Sequence, residues 1–80
     1  MLLYFTNNSK QKKILIETDF PEDVYDEMLT FFESYHIYPH FIEIDDCGKI
    51  SFGSMSEFFY VENASKEDIA SIRELLEGSI

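Results

Sequence analysis

Two histidines, His36 and His40, stand four residues apart, and Asp45, Asp46 and Cys47 follow in one run. Histidines at that spacing share a metal ion when both lie on one helix. Pro39 sits between them and pushes the residue before it out of the helical region, so ordinary loop histidines are expected. Asp45-Asp46-Cys47-Gly48 lacks the alternating oxygen ligands and the distal glutamate of a calcium loop and reads as a turn. Adjacent strand residues point to opposite faces, so Asp45 and Asp46 should not converge on a common ligand. Acidic neighbours disfavour the thiolate that would make Cys47 a nucleophile. The three glycines are isolated, with no phosphate-cradling loop and no nucleophile elbow. The expectation is a non-enzyme without metal or cofactor.

The informative chemistry is charge. Residues 14–48 contain no Lys or Arg but ten acids: Glu17, Asp19, Glu22, Asp23, Asp26, Glu27, Glu33, Glu43, Asp45 and Asp46. Glu22 and Asp26, like Asp23 and Glu27, are four apart, where helical side chains are neighbours and like charges repel by about 0.2–0.5 kcal/mol per pair. Folding alone does not select such pairs. Glu22 and Asp23 gain from the positive end of a helix dipole, whereas Glu33, near the other end, should lose. Residues four apart on a helix are separated by about 6 Å along its axis, of the same order as successive phosphates on a nucleic-acid strand. The expected partner-binding face is Glu22, Asp23, Asp26, Glu27 and Glu33, extended by Asp45 and Asp46.

The elements that must position these groups are legible from local pattern. Residues 2–5 and 13–17 read as strands joined by a polar, basic and loose tip containing Lys10 and Lys12. A helix over 21–35 begins at Asp19-Phe20-Pro21-Glu22-Asp23, where Asp can cap and Pro suits the first turn. Val24, Met28, Phe31, Phe32 and Tyr35 form its apolar side. Residues 41–45, 49–52 and 57–61 read as a three-strand meander. Ser65 then caps a second helix whose Asp68 completes a capping box, with Ile69, Ile72 and Leu76 as apolar stripe and Gly78 at a left-handed end. The order β-β-α-β-β-β-α implies an α+β two-layer sandwich with a mainly antiparallel sheet.

Residues 21–77 alone give α-β-β-β-α, an order similar to that of double-stranded RNA-binding domains. That family's RNA contacts look to lysines at the start of the last helix. Here the turn reads Ser65-Lys66-Glu67-Asp68-Ile69, one base against two acids, and the RNA function does not carry over.

Sixteen acids against six bases in 80 residues give a formal charge of −10. One compact domain spanning residues 1–80 is expected at this size. Surfaces that neutralise phosphates or anionic lipids use Lys and Arg, so direct nucleic-acid or membrane binding is disfavoured. A lone cysteine and the absence of a basic lead-in at the start suggest a cytoplasmic protein. A negative field steers toward basic surfaces. The expected function is therefore a non-catalytic acidic inhibitor that docks on the nucleic-acid-binding surface of a partner enzyme. Phage or mobile-element anti-defence and anti-CRISPR proteins act as nucleic-acid mimics of this kind. An immunity protein or antitoxin that neutralises a nuclease toxin is one alternative. Thirteen aromatic residues, with both faces apolar in residues 2–5 and 58–61, suggest a second: a small adaptor, or a homodimer, using an aromatic sheet face.

Overall fold

In the computed structural model, residues 1–78 are described. They form β1 (Leu2–Thr6), β2 (Lys12–Glu17), α1 (Pro21–Ser34), β3 (Glu43–Ile44), β4 (Lys49–Ser51), β5 (Phe58–Glu62) and α2 (Lys66–Glu77). The expected α+β order is the observed one. All pairings are antiparallel and the sheet order is β2-β1-β5-β4-β3, so β2 and β3 are the edges.

Both helices lie on one face of the sheet, packed against each other, with α1 toward β2 and α2 toward β3. The core between the layers takes alternate strand positions, Leu3, Phe5, Ile44, Ile50, Phe59 and Val61, together with Val24, Met28, Phe31 and Phe32 of α1 and Ile69, Ile72 and Leu76 of α2. Phe59 is its centre: fully buried, with ring centroids of Phe5, Phe31, Phe32 and Phe52 within 5.5 Å. Tyr35, expected on the apolar side of α1, is 54% exposed. It falls at the helix C-cap, at the β2 edge of the sheet rather than over it, and packs on Phe31 from outside.

The helix ends explain the boundaries. At the start of α1 the N-cap is Phe20, with no side-chain cap of its own. The Thr18 hydroxyl instead donates to Asp23 Oδ2 at 2.6 Å and accepts the Phe20 N–H at 3.1 Å. Asp19, the expected cap, is exposed and plays no part in this network. The other end closes with the Ile37 N–H on the Phe32 carbonyl at 2.8 Å and the His36 N–H on that of Glu33. This Schellman arrangement needs a left-handed residue, and His36 supplies it at φ 55°. The helix therefore stops well before Pro39. The capping box of α2 forms as expected, Ser65 accepting from the Asp68 N–H while Asp68 accepts from the Ser65 N–H. Gly78 is right-handed, at φ −78°, rather than left-handed.

The turns are tied down by acids and amides. In the first hairpin Asn7 Oδ1 accepts the N–H groups of Ser9 and Gln11, so the tip is braced rather than loose. Between β3 and β4, Asp45 Oδ1 accepts the N–H groups of Cys47 and Lys49. Gly48 follows at φ 99°, its carbonyl accepting from the Val61 N–H at 3.0 Å.

Candidate functional site

The helical layer carries the acids. Successive helical residues turn by about 100°, so Glu22, Asp26, Leu29 and Glu33 fall on one line of α1, and all four are exposed. The line runs about 16 Å. No base lies on α1, and among the described residues none of its three carboxylates has a basic partner; the ion pair found there joins Arg73 to Asp46 at 3.1 Å.

The remaining expected site residues are placed differently. Asp23 is half-buried and held by Thr18 in the first turn of α1. Glu27 is half-buried and lines the depression between α1 and β2 with Lys13 and Tyr35. Asp45 and Asp46 lie in the β3–β4 turn, on the side of the sheet that α2 covers. Asp45 is committed to that turn by its two amide hydrogen bonds. Asp46 is fully solvated at its carboxylate and meets Arg73, whose guanidinium also donates to the Ile44 carbonyl at 3.1 Å. The structure thus gathers Glu22, Asp26 and Glu33 and leaves Asp45 and Asp46 apart from them.

One contribution was not read from the sequence. Glu67 and Glu74, seven apart, share the solvent side of α2, with exposed Glu77 close to that line. With them the two helices hold nine carboxylates, five on α1 and four on α2, against Lys66 and Arg73. The signal was the seven-residue interval, hidden by the interspersed bases.

The bases occupy other surfaces. Lys13 donates to the Tyr35 hydroxyl at 2.9 Å along the β2 edge. Lys12 lies over the Tyr4 ring and Lys49 over the Phe58 ring, each 4.7 Å from the centroid, on the sheet face that no helix covers. That face is aromatic, with Tyr4 and Tyr60 at 5.5 Å.

Depressions among the described residues are open to solvent. One of about 590 Å³ is lined by Phe5, Lys13, Phe31, Tyr35, Ile37 and Glu57 among others. Another, about 410 Å³, is lined by Phe41, Glu43, Arg73, Leu76 and Glu77 among others. Among the described residues no group of three His, Cys, Asp or Glu side chains is placed to hold a metal ion, and no helix is long and apolar enough to cross a membrane. His36, His40 and Cys47 are all exposed. Comparison with known protein families, with curated proteins and with solved structures finds no match.

Proposed function

We propose that this chain is a non-catalytic binding protein that lays its acidic helical layer on a basic, nucleic-acid-binding surface of a partner enzyme and so inhibits it. The observation that carries the reading is the row Glu22, Asp26 and Glu33: exposed, unpaired, on one line, and at Asp26 and Glu33 unfavourable to the helix that bears it. Anti-defence proteins of phages and mobile elements, anti-CRISPR proteins among them, and immunity proteins or antitoxins against nucleases are the functional classes that suit such a surface. A cytoplasmic location follows from those partners.

The test compares wild type with the triple variant Glu22→Lys, Asp26→Lys and Glu33→Lys, its fold checked by circular dichroism. Wild type immobilised on a resin should retain a nucleic-acid enzyme that salt or free polyanion elutes, and the variant should not. Recovery of nucleic acid itself, or equal retention by the variant, would overturn the proposal.

A second reading is favoured by the placement of both helices on one side of the sheet. The uncovered aromatic face fits a small adaptor that binds by apolar contact. Such binding should survive salt that abolishes the electrostatic mode.

A further inference from the structure

The uncovered sheet face has a polarity that selects its occupant. Opposite the core positions, β1 presents Leu2, Tyr4 and Thr6, and strand register sets their neighbours. Leu2 lies between Glu17 of β2 and Glu62 of β5. Tyr4 lies between Ile14 and Tyr60, and Thr6 between Lys12 and Phe58. Lys49, beside Tyr60 in register, carries its ammonium over the Phe58 ring. The face therefore has an acidic row at one end, an apolar row in the middle and, at the other, a row that is basic at Lys12 and at the Lys49 ammonium and ends in exposed Glu43 beside Ser51. Ile14, at the edge of the apolar row, is 66% exposed and Tyr60 is half-buried, whereas Tyr4 and Thr6, between their neighbours and beneath Lys12, are only 7% and 6% exposed.

We infer that a second copy of this chain packs face to face on this surface, about a two-fold axis that lies in the interface, perpendicular to the strands, along the row Ile14–Tyr4–Tyr60. Such an axis reverses strand direction while keeping each strand over its own counterpart. Glu17 then meets Lys12 of the second copy, and Glu62 meets the Lys49 ammonium above Phe58. Each contact occurs twice, and Ile14 is covered by its own equivalent. An axis parallel to the strands would set acidic row on acidic row and is disfavoured. Stacked sheets lie about 10 Å apart, which Lys and Glu side chains together span. Their ammonium groups already rest on aromatic rings, facing the second sheet. An apolar centre with a charged rim is the usual anatomy of an interface. At about 4.8 by 3.4 Å per residue the strands cover roughly 340 Å² per copy, below the size of stable interfaces, so a weak dimer in the high micromolar range is expected. The inference does not rest on the acidic helical layer, which stays on the outside of both copies.

The test is sedimentation of the full chain from about 1 to 500 µM, a range that brackets such an affinity. Wild type should pass from monomer to dimer. The variant K12E/K49E and the variant E17K/E62K should each remain monomeric, and their equimolar mixture should dimerise. The second variant separates the pairing from overall repulsion, since its net charge falls in magnitude from −10 to −6, four units from two substitutions, yet it should associate less than wild type. Carbodiimide treatment of the wild-type dimer should join Glu17 to Lys12, which lie at opposite ends of β2 and cannot meet within one chain. A strict monomer throughout, dimerisation of either variant at the wild-type level, or a dimer without the Glu17–Lys12 link would overturn the inference.

Discussion

Asp26→Lys should make this protein more stable while it abolishes partner binding. Asp26 is exposed, in the second turn of α1, beyond the part of the helix where the dipole favours acids. It stands four residues after Glu22 and three after Asp23, so it takes part in two like-charge contacts of about 0.2–0.5 kcal/mol each. Lysine converts both into attractions, with the acid N-terminal to the base, the better orientation. The swing is about 0.4–1 kcal/mol for Glu22 and less for Asp23, whose carboxylate is already held by Thr18. Lysine also exceeds aspartate in helix propensity by about 0.4 kcal/mol. The sum is about 1–1.5 kcal/mol, and at this chain length each kcal/mol moves the melting temperature by about 4–8 °C. Thermal unfolding followed by circular dichroism at low salt should therefore show a rise of roughly 5–10 °C. In about 1 M salt, where the screening length is near 3 Å, only the propensity part should remain. An unchanged or lower melting temperature at low salt would refute the claim that the row is retained against folding, as would a gain indifferent to salt.

Gly48→Ala should be strongly destabilising, because its Cβ would lie 2.6 Å from the Val61 carbonyl oxygen at a φ of 99°; a loss of about 2–3 kcal/mol in urea unfolding is expected. Ser65→Ala removes the acceptor of the Asp68 N–H and half of the capping box, and should lower stability by about 1 kcal/mol in the same assay. Thr6→Val should act in the opposite direction, since the Thr6 Oγ1 is buried without a hydrogen-bond partner; its isostere should raise stability by about 1 kcal/mol at fixed protein concentration.

What was legible in the sequence was what local chemistry decides. Ser65 and Asp68 announce α2, Pro21 announces α1, and Asp45 with Gly48 marks the tight turn between β3 and β4. The end of α1, expected at Tyr35 and found at Ser34, was legible to within one residue; its left-handed position was not, because His36, among the non-glycine residues enriched at positive φ, occupies the place usually given to glycine. The first hairpin and the meander were legible, but their junction was not, since β1 beside β5 pairs residues more than 50 positions apart, as Thr6 with Phe58. The acidic row of α1 was visible as spacing, but the destination of the bases was not. Simple alternation puts Glu17 on the face of Lys13 and Leu15. The register shift opposite Leu3 and Tyr4 leaves Leu15 unpaired, and so moves Glu17 to the face of Lys12 and Ile14. One inserted residue thus creates the polar order of the open sheet face, and no pattern of residue types foretells it.

The two surfaces are compatible because the charge is segregated by layer. A formal charge of −10 would oppose self-association if it were spread evenly. Nine of the acids ride on the two helices, on the far side of the sheet from its open face. In a face-to-face dimer the two helical layers are separated by about three layer spacings, roughly 30 Å. At physiological ionic strength that is nearly four screening lengths of about 8 Å. Repulsion between the layers is therefore mostly screened, while the contacts of Glu17 and Glu62 with Lys12 and Lys49 act at close range. The same geometry points the two acidic layers in opposite directions. Under the two proposals together, one groove of a partner could not engage both rows, so each copy would meet its own partner and the sheet face would set how many partners are held without touching any of them.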